Sequence, residues 1–106
     1  MENKHRKIKG YRELSQAEIY LMNRIKAKGA ELLELQAELV DMLKLHEVSK
    51  VSAMDKASDN DSSHDAKTEF NRFQAAEPLR WADIGKTDIQ TGIMALVRAV
   101  AQPAGV

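Results

Sequence analysis

The chain has 106 residues, with sixteen basic and sixteen acidic side chains in balance and no cysteine. Cancelled charge excludes a polycation that grips long nucleic acid nonspecifically, and the missing thiols exclude a disulfide framework or a cysteine-based metal site. A single helical domain spanning residues 1–106 is the expected organisation, with packing as its source of stability. No apolar run reaches the roughly 20 residues of a membrane span, and the basic N-terminus is not followed by a signal-peptide core. A soluble intracellular protein without a membrane partner is therefore expected.

Residues 1–12 place Lys4, Arg6, Lys7, Lys9 and Arg12 against one acid, Glu2. Such a segment is either a solvated tail or an anion contact, in which the ring of Tyr11 beside these cations would take a base next to its phosphate. Ser15-Gln16-Ala17-Glu18 fits the S-x-x-E capping box and sets a helix start. Ile19, Met22, Ile25, Leu32, Leu33, Gln36, Leu39, Val40 and Leu43 then recur at threes and fours, as one helix face requires. The helix predicted from Gln16 to about His46 is ~45 Å long at 1.5 Å per residue.

Gly29 costs about 1 kcal/mol relative to alanine inside a helix, so its presence predicts the close approach of another backbone. Lys26, one turn earlier, has two readings: a stem laid on the apolar stripe with its ammonium in water, or an anion contact.

Residues 49–66 are rich in Ser, Asp, Asn and Lys and read as a flexible insertion loop. Asp59, Asp61, Ser63 and Asp65 imitate the start of a calcium loop, but His64 stands where the turn needs glycine and Phe70 where a bidentate glutamate belongs. His64-Asp65 lacks partner histidines at ligand spacing. No metal site and no cofactor are expected.

Helical signal returns near Lys67 with Phe70 and Phe73. Pro78 either opens a new helix or kinks a continuous one. Beyond it, Leu79, Trp81, Ile84, Ile89, Ile93, Leu96 and Val100 form the expected buried side, and Gly85 and Gly92 are expected to permit close helix contact. Trp81 reads as core; Arg80 beside it would also suit a base stacked next to a phosphate. Thr87 and Thr91 share a face, their hydroxyls bonded back to the helix or turned into a cavity. Ile93 to Ala101 is apolar on nearly every face except at Arg98, and a helix of that kind must be covered on all sides. So short a chain lacks the elements to do so, which points to assembly with copies of itself. Within such surroundings Arg98 would need an acceptor, from Asp88 or from a ligand phosphate. No catalytic set is legible, and a binding protein is favoured over an enzyme.

HRKIKGYRELSQAEI, the stretch from Lys26 to Gly29, and AAEPLRW followed by TDIQTGIMALVRAVAQP resemble the phage-encoded anti-CBASS proteins that act as cyclic-oligonucleotide sponges. The likeness covers everything except the Ser/Asp-rich insertion. It implies an all-α protein with two long antiparallel helices and a short N-terminal segment, assembled as a homohexamer in the cytoplasm of an infected bacterial host. Such a protein would sequester cyclic dinucleotides, such as 3′,3′-cGAMP, and cyclic trinucleotides without degrading them. The resemblance puts the dinucleotide contacts on Tyr11 and Lys26 and a trinucleotide contact on Arg80; Thr87 and Thr91 join Arg80 as trinucleotide candidates. Lys86 stands where the family commonly has arginine and Ile93 where it commonly has an aromatic. The competing reading is a helical oligomeric scaffold or nucleic-acid accessory protein that uses its basic N-terminus.

Overall fold

A computed structural model describes residues 12–57 and 61–104, with the backbone alone at 61–63. The described residues form three α-helices and no strand: α1 (Gln16–Lys56), α2 (Asp61–Ala76) and α3 (Pro78–Ala101). The two long helices expected are α1 and α3, and α2 is an additional shorter one.

The capping box forms as predicted. The Glu18 amide donates to Ser15 Oγ at 3.1 Å, and the Ser15 amide donates to Glu18 Oε1 at 2.9 Å. Two of the helix's free N-terminal donors are thereby satisfied.

At its other end α1 departs from expectation. It runs ten residues beyond His46, to Lys56, and α2 begins at Asp61, so helix occupies much of the 49–66 stretch read as a loop. The physical reason is that the stripe continues. Half-buried positions along α1 fall at Leu33, Gln36, Val40, Leu43, Glu47, Lys50 and Met54, alternating steps of three and four. Hydrophilic residues occupy part of that stripe, which is why hydropathy alone ended the helix early.

Pro78 opens a new helix. Glu77 separates it from α2 with φ 49°, a left-handed backbone that side chains rarely adopt, and its carbonyl accepts the Trp81 amide at 3.1 Å. The pyrrolidine ring disfavours right-handed helical backbone at the residue before it, so α2 must stop here. Gln102, with φ 50° and followed by Pro103, ends α3 in the same way, and its amide reaches Arg98 O at 2.7 Å.

The chain divides into two compact units, one of Met1–Leu33 with Thr87–Val106, the other of Glu34–Lys86. In the first, α1 and α3 run antiparallel, since Arg12 reaches Val100 near one end and Gly29 meets Ile93 further along. Gly29 is buried, and a Cβ added to it would lie 2.6 Å from Ile93 Cγ1. The close approach predicted for Gly29 is thus made by a side chain, not by a backbone. Among the described residues, Gly92 of this unit and Gly85 of the other have no such neighbour within 4 Å of an added Cβ, so the close contact expected at both is not made within this chain's described part.

The second unit holds the buried hydrophobic residues Phe73 and Ala82, 5% and 7% exposed. Gln36 Nε2 donates to the Ala82 carbonyl at 2.9 Å. Lys50 lies on the stripe with its ammonium 5.6 Å from the centre of the Phe73 ring and 3.4 Å from Glu69. The one ammonium thus meets both the face of the ring and a carboxylate. Glu69 also accepts from Arg72 at 2.6 Å and 2.7 Å, and the Arg72 guanidinium, ahead of Lys50, holds that carboxyl down to about 2.

Candidate functional site

In the first unit, α1 presents a run of cations. Tyr20 and Arg24, four residues apart and so on one helix face, pair with the guanidinium carbon 5.5 Å from the ring centre. Lys28 bridges to Glu31 at 3.5 Å. Lys26 is exposed and has no hydrogen-bond or ion-pair partner among the described residues. An ammonium with nothing to neutralise it is available for an anion. Tyr11, its expected companion, lies outside the described residues.

Arg12 is firmly held. Arg12 forms a two-pronged pair with the Glu18 carboxylate, and its Nη2 also donates to the Val100 carbonyl at 2.7 Å. Val100 lies in the last turn of α3, where carbonyls lack helical partners. Arg12 therefore supplies a donor that the helix end needs. The Arg12 guanidinium, then the Ser15 amide, pulls the Glu18 carboxyl down to about 2. The sequence reading counted Arg12 among the tail cations and missed this role, because its partner Val100 is 88 residues away.

Thr87 and Thr91 both line an open cavity of about 440 Å³ on α3, with Gln90, Ile93 and Met94. The spacing of four does bring the two threonines to one recess, and Gln90 adds an amide that sequence reasoning had not chosen. A second recess in this unit, about 480 Å³, has Leu21, Ile25, Gly29, Leu32, Ile93 and Leu96 among its walls and Arg24 and Lys28 at its edge. Leu96, expected on the buried side, is 55% exposed, and Met94 is 66% exposed. Arg98 is exposed too, so within this chain its charge stays hydrated and needs no acceptor. The described residues thus leave part of the apolar end of α3, at Met94 and Leu96, uncovered.

In the second unit, Arg80 lies over the indole of Trp81, 5.4 Å from the ring centre, and its Nη1 is 3.5 Å from Glu77 Oε2. Trp81 is 59% exposed rather than core. It precedes the buried Ala82 by one position and so turns away from that contact. The pair presents a planar cation and a flat ring to solvent, the chemistry that stacks on a base and meets a phosphate.

Among the described residues no group of three or more His, Cys, Asp or Glu side chains gathers to hold a metal ion. No helix among them is long and apolar enough to cross a membrane.

The sequence pattern of the family described as Acb2/Tad1, hairpin domain, matches residues 3–101. The chain is also 60% identical, over an alignment of 109 residues covering 99% of both chains, to Anti-CBASS protein 2 of Pseudomonas phage JBD67.

Proposed function

Because the chain belongs to the Acb2/Tad1 hairpin family, we propose that it binds and sequesters cyclic oligonucleotide second messengers, leaving them intact, and so blocks CBASS antiphage immunity in the host cytoplasm. The observation that carries this reading is the 60% identity, across 99% of the chain, to a phage protein named for acting against CBASS. Sequestration needs tight binding and slow release, not chemistry.

The side chains support the same reading. Unpaired Lys26 suits the phosphate of a cyclic dinucleotide, with Tyr11 as its stacking partner. In the second unit, Arg80 laid on Trp81 suits a base and phosphate of a cyclic trinucleotide; in the first, the recess lined by Thr87 and Thr91 offers hydroxyls of the kind such a ligand would use. The family resemblance suggests a homohexamer, and the outward Leu21, Leu32, Met94 and Leu96 are the kind of apolar surface that copies of a chain cover for one another.

Native mass spectrometry with and without 3′,3′-cGAMP tests subunit number and stoichiometry together. Six subunits carrying whole-number ligand equivalents, with the dinucleotide recovered unaltered after heat denaturation, is the expected result. A ligand-indifferent monomer, or a cleaved nucleotide, overturns the proposal. Tyr11→Ala and Lys26→Ala should each abolish dinucleotide binding by calorimetry while the assembly persists. Arg80→Ala should spare dinucleotides and weaken trinucleotides, and equal loss of both would mean that there is one pocket.

A further inference from the structure

We infer that the larger recess of the first unit receives, from a second copy of this chain, the apolar row Leu35, Leu39 and Met42, with the two stretches of α1 antiparallel and opposite charges flanking the seam. The inference supplies a contact for the self-assembly proposed above and rests on that assembly, not on any ligand.

The receiving surface is an open cavity of about 480 Å³. Its floor is apolar, with Leu21, Ile25 and Leu32 from α1 and Ile93 and Leu96 from α3, and Gly92 leaves the α3 wall without a side chain. Leu21, Leu32 and Leu96 are exposed among the described residues. Arg24 and Lys28 stand at the edge, and from residue 21 to residue 30 the sequence carries three cations and no acid. Arg24 lies over the Tyr20 ring and has no carboxylate partner among the described residues. Lys28 reaches Glu31 at 3.5 Å, but both side chains are solvent-exposed, and such a pair contributes little. An occupant that suits this recess is apolar along one row and negative beside it.

The second unit offers that combination. Leu35, Leu39 and Met42, spaced by four and three, share one face of α1 and are exposed. Glu34, Glu38 and Asp41 repeat the spacing one position earlier, so a row of carboxylates runs beside the apolar row. All three acids are exposed and have no hydrogen-bond or ion-pair partner among the described residues, and no cation interrupts the sequence from 34 to 43.

The offset of the two rows sets the orientation. Arg24 and Lys28 stand one position before Ile25 and Gly29, as Glu34 and Glu38 stand one position before Leu35 and Leu39. Both charged rows therefore flank their apolar rows on the same side. Two helices laid face to face bring same-side rows together only when they run antiparallel, and flanking charges choose partner and direction in this way wherever helices pair. A chain that carries both the recess and its complement finds its partner in its own copies.

Two charge-reversed chains test the contact. One carries Arg24→Glu with Lys28→Glu, the other Glu34→Lys with Glu38→Lys. Alone, each sets like charge against like; mixed, each row meets its opposite again. Sedimentation velocity and native mass spectrometry on the full chain read association, and circular dichroism reads helix content. Each variant alone is expected to associate at least about tenfold more weakly than the unaltered protein, and an equimolar mixture to recover to within about threefold of it. Recovery on mixing also shows that neither variant had failed to fold.

Unaltered association of either variant alone overturns the inference, and so does a mixture no better than its parts. The recess then belongs to another occupant, such as an anionic small molecule or a foreign protein. If the unaltered protein stays monomeric, the self-assembly proposed above fails and takes this contact with it. If it assembles whatever the sign of these charges, the contact alone fails.

Discussion

The Gly29 region of the first unit and the Phe73 region of the second achieve close packing by opposite means. Around Gly29 a side chain has been removed, and Ile93 occupies the space where a Cβ would be. Around Phe73 a ring fills the interior and the ammonium of Lys50 lies over it. The first arrangement is intolerant of an added methyl group and the second of a lost ring. A single hydrophobicity scale would treat both as ordinary apolar contacts.

The largest expected effect separates them at once. Phe73→Ala should destabilise the protein by about 3–5 kcal/mol, the usual cost of emptying a buried phenylalanine site; denaturation at fixed protein concentration measures it. A loss under about 1 kcal/mol would mean that the second unit is not built on this ring.

Gly29→Ala is the sharper test, because two effects oppose. Alanine gains about 1 kcal/mol of helix propensity, whereas crowding a filled interior costs about 1–3 kcal/mol. With Ile93 Cγ1 2.6 Å from the added Cβ, crowding should win, for a net loss of about 1 kcal/mol. In an Ile93→Ala background the same substitution should turn stabilising, and additivity in that double-mutant cycle would refute the contact.

The acid limb distinguishes the units by their carboxylates. Glu18 in the first unit and Glu69 in the second are each lowered from 4.5 to about 2, chiefly by Arg12 and by Arg72. A depressed pKa contributes stability that is complete above the unfolded value and is lost as pH falls toward the folded one. Stability should therefore drop between about pH 4.5 and pH 2, whereas from pH 6 to 8 the contribution of these groups is complete and does not change with pH. Glu18→Gln and Glu69→Gln should each flatten that drop in denaturation curves taken across the range.

The smallest effect is expected at a helix end. Gln102 holds φ 50°, where glycine is relaxed and other residues pay roughly 1 kcal/mol. Gln102→Gly should raise thermal stability by at most about 1 kcal/mol, and a clear loss would show that the glutamine side chain contributes something the backbone argument omits.

Local signals were legible in the sequence and long-range ones were not. Ser15 and Glu18 announced the start of α1, Pro78 offered the start of α3 as one of two readings, and the importance of Gly29 followed from its helix cost. Each of these is decided within a few residues. The extension of α1 to Lys56 was overlooked because Glu47 and Lys50 occupy stripe positions, and a lysine lying over Phe73 does the work of an apolar residue there. Trp81 was assigned to the interior by composition, whereas its neighbour Ala82 takes that place. At the candidate site, the helix spacing of Thr87 and Thr91 was readable. The Arg12 to Val100 bond was not, since no local pattern links residues 88 positions apart.

The proline after each left-handed residue has a further consequence. Pro78 and Pro103 bookend α3, and neither Glu77 nor Gln102 can be recruited into the helix while a pyrrolidine ring follows it. A rod fenced on both sides cannot creep by one residue, growing at one tip while melting at the other. Its phase is thereby frozen: Ile93 stays opposite the gap at Gly29, and Thr87 and Thr91 keep their bearing relative to it.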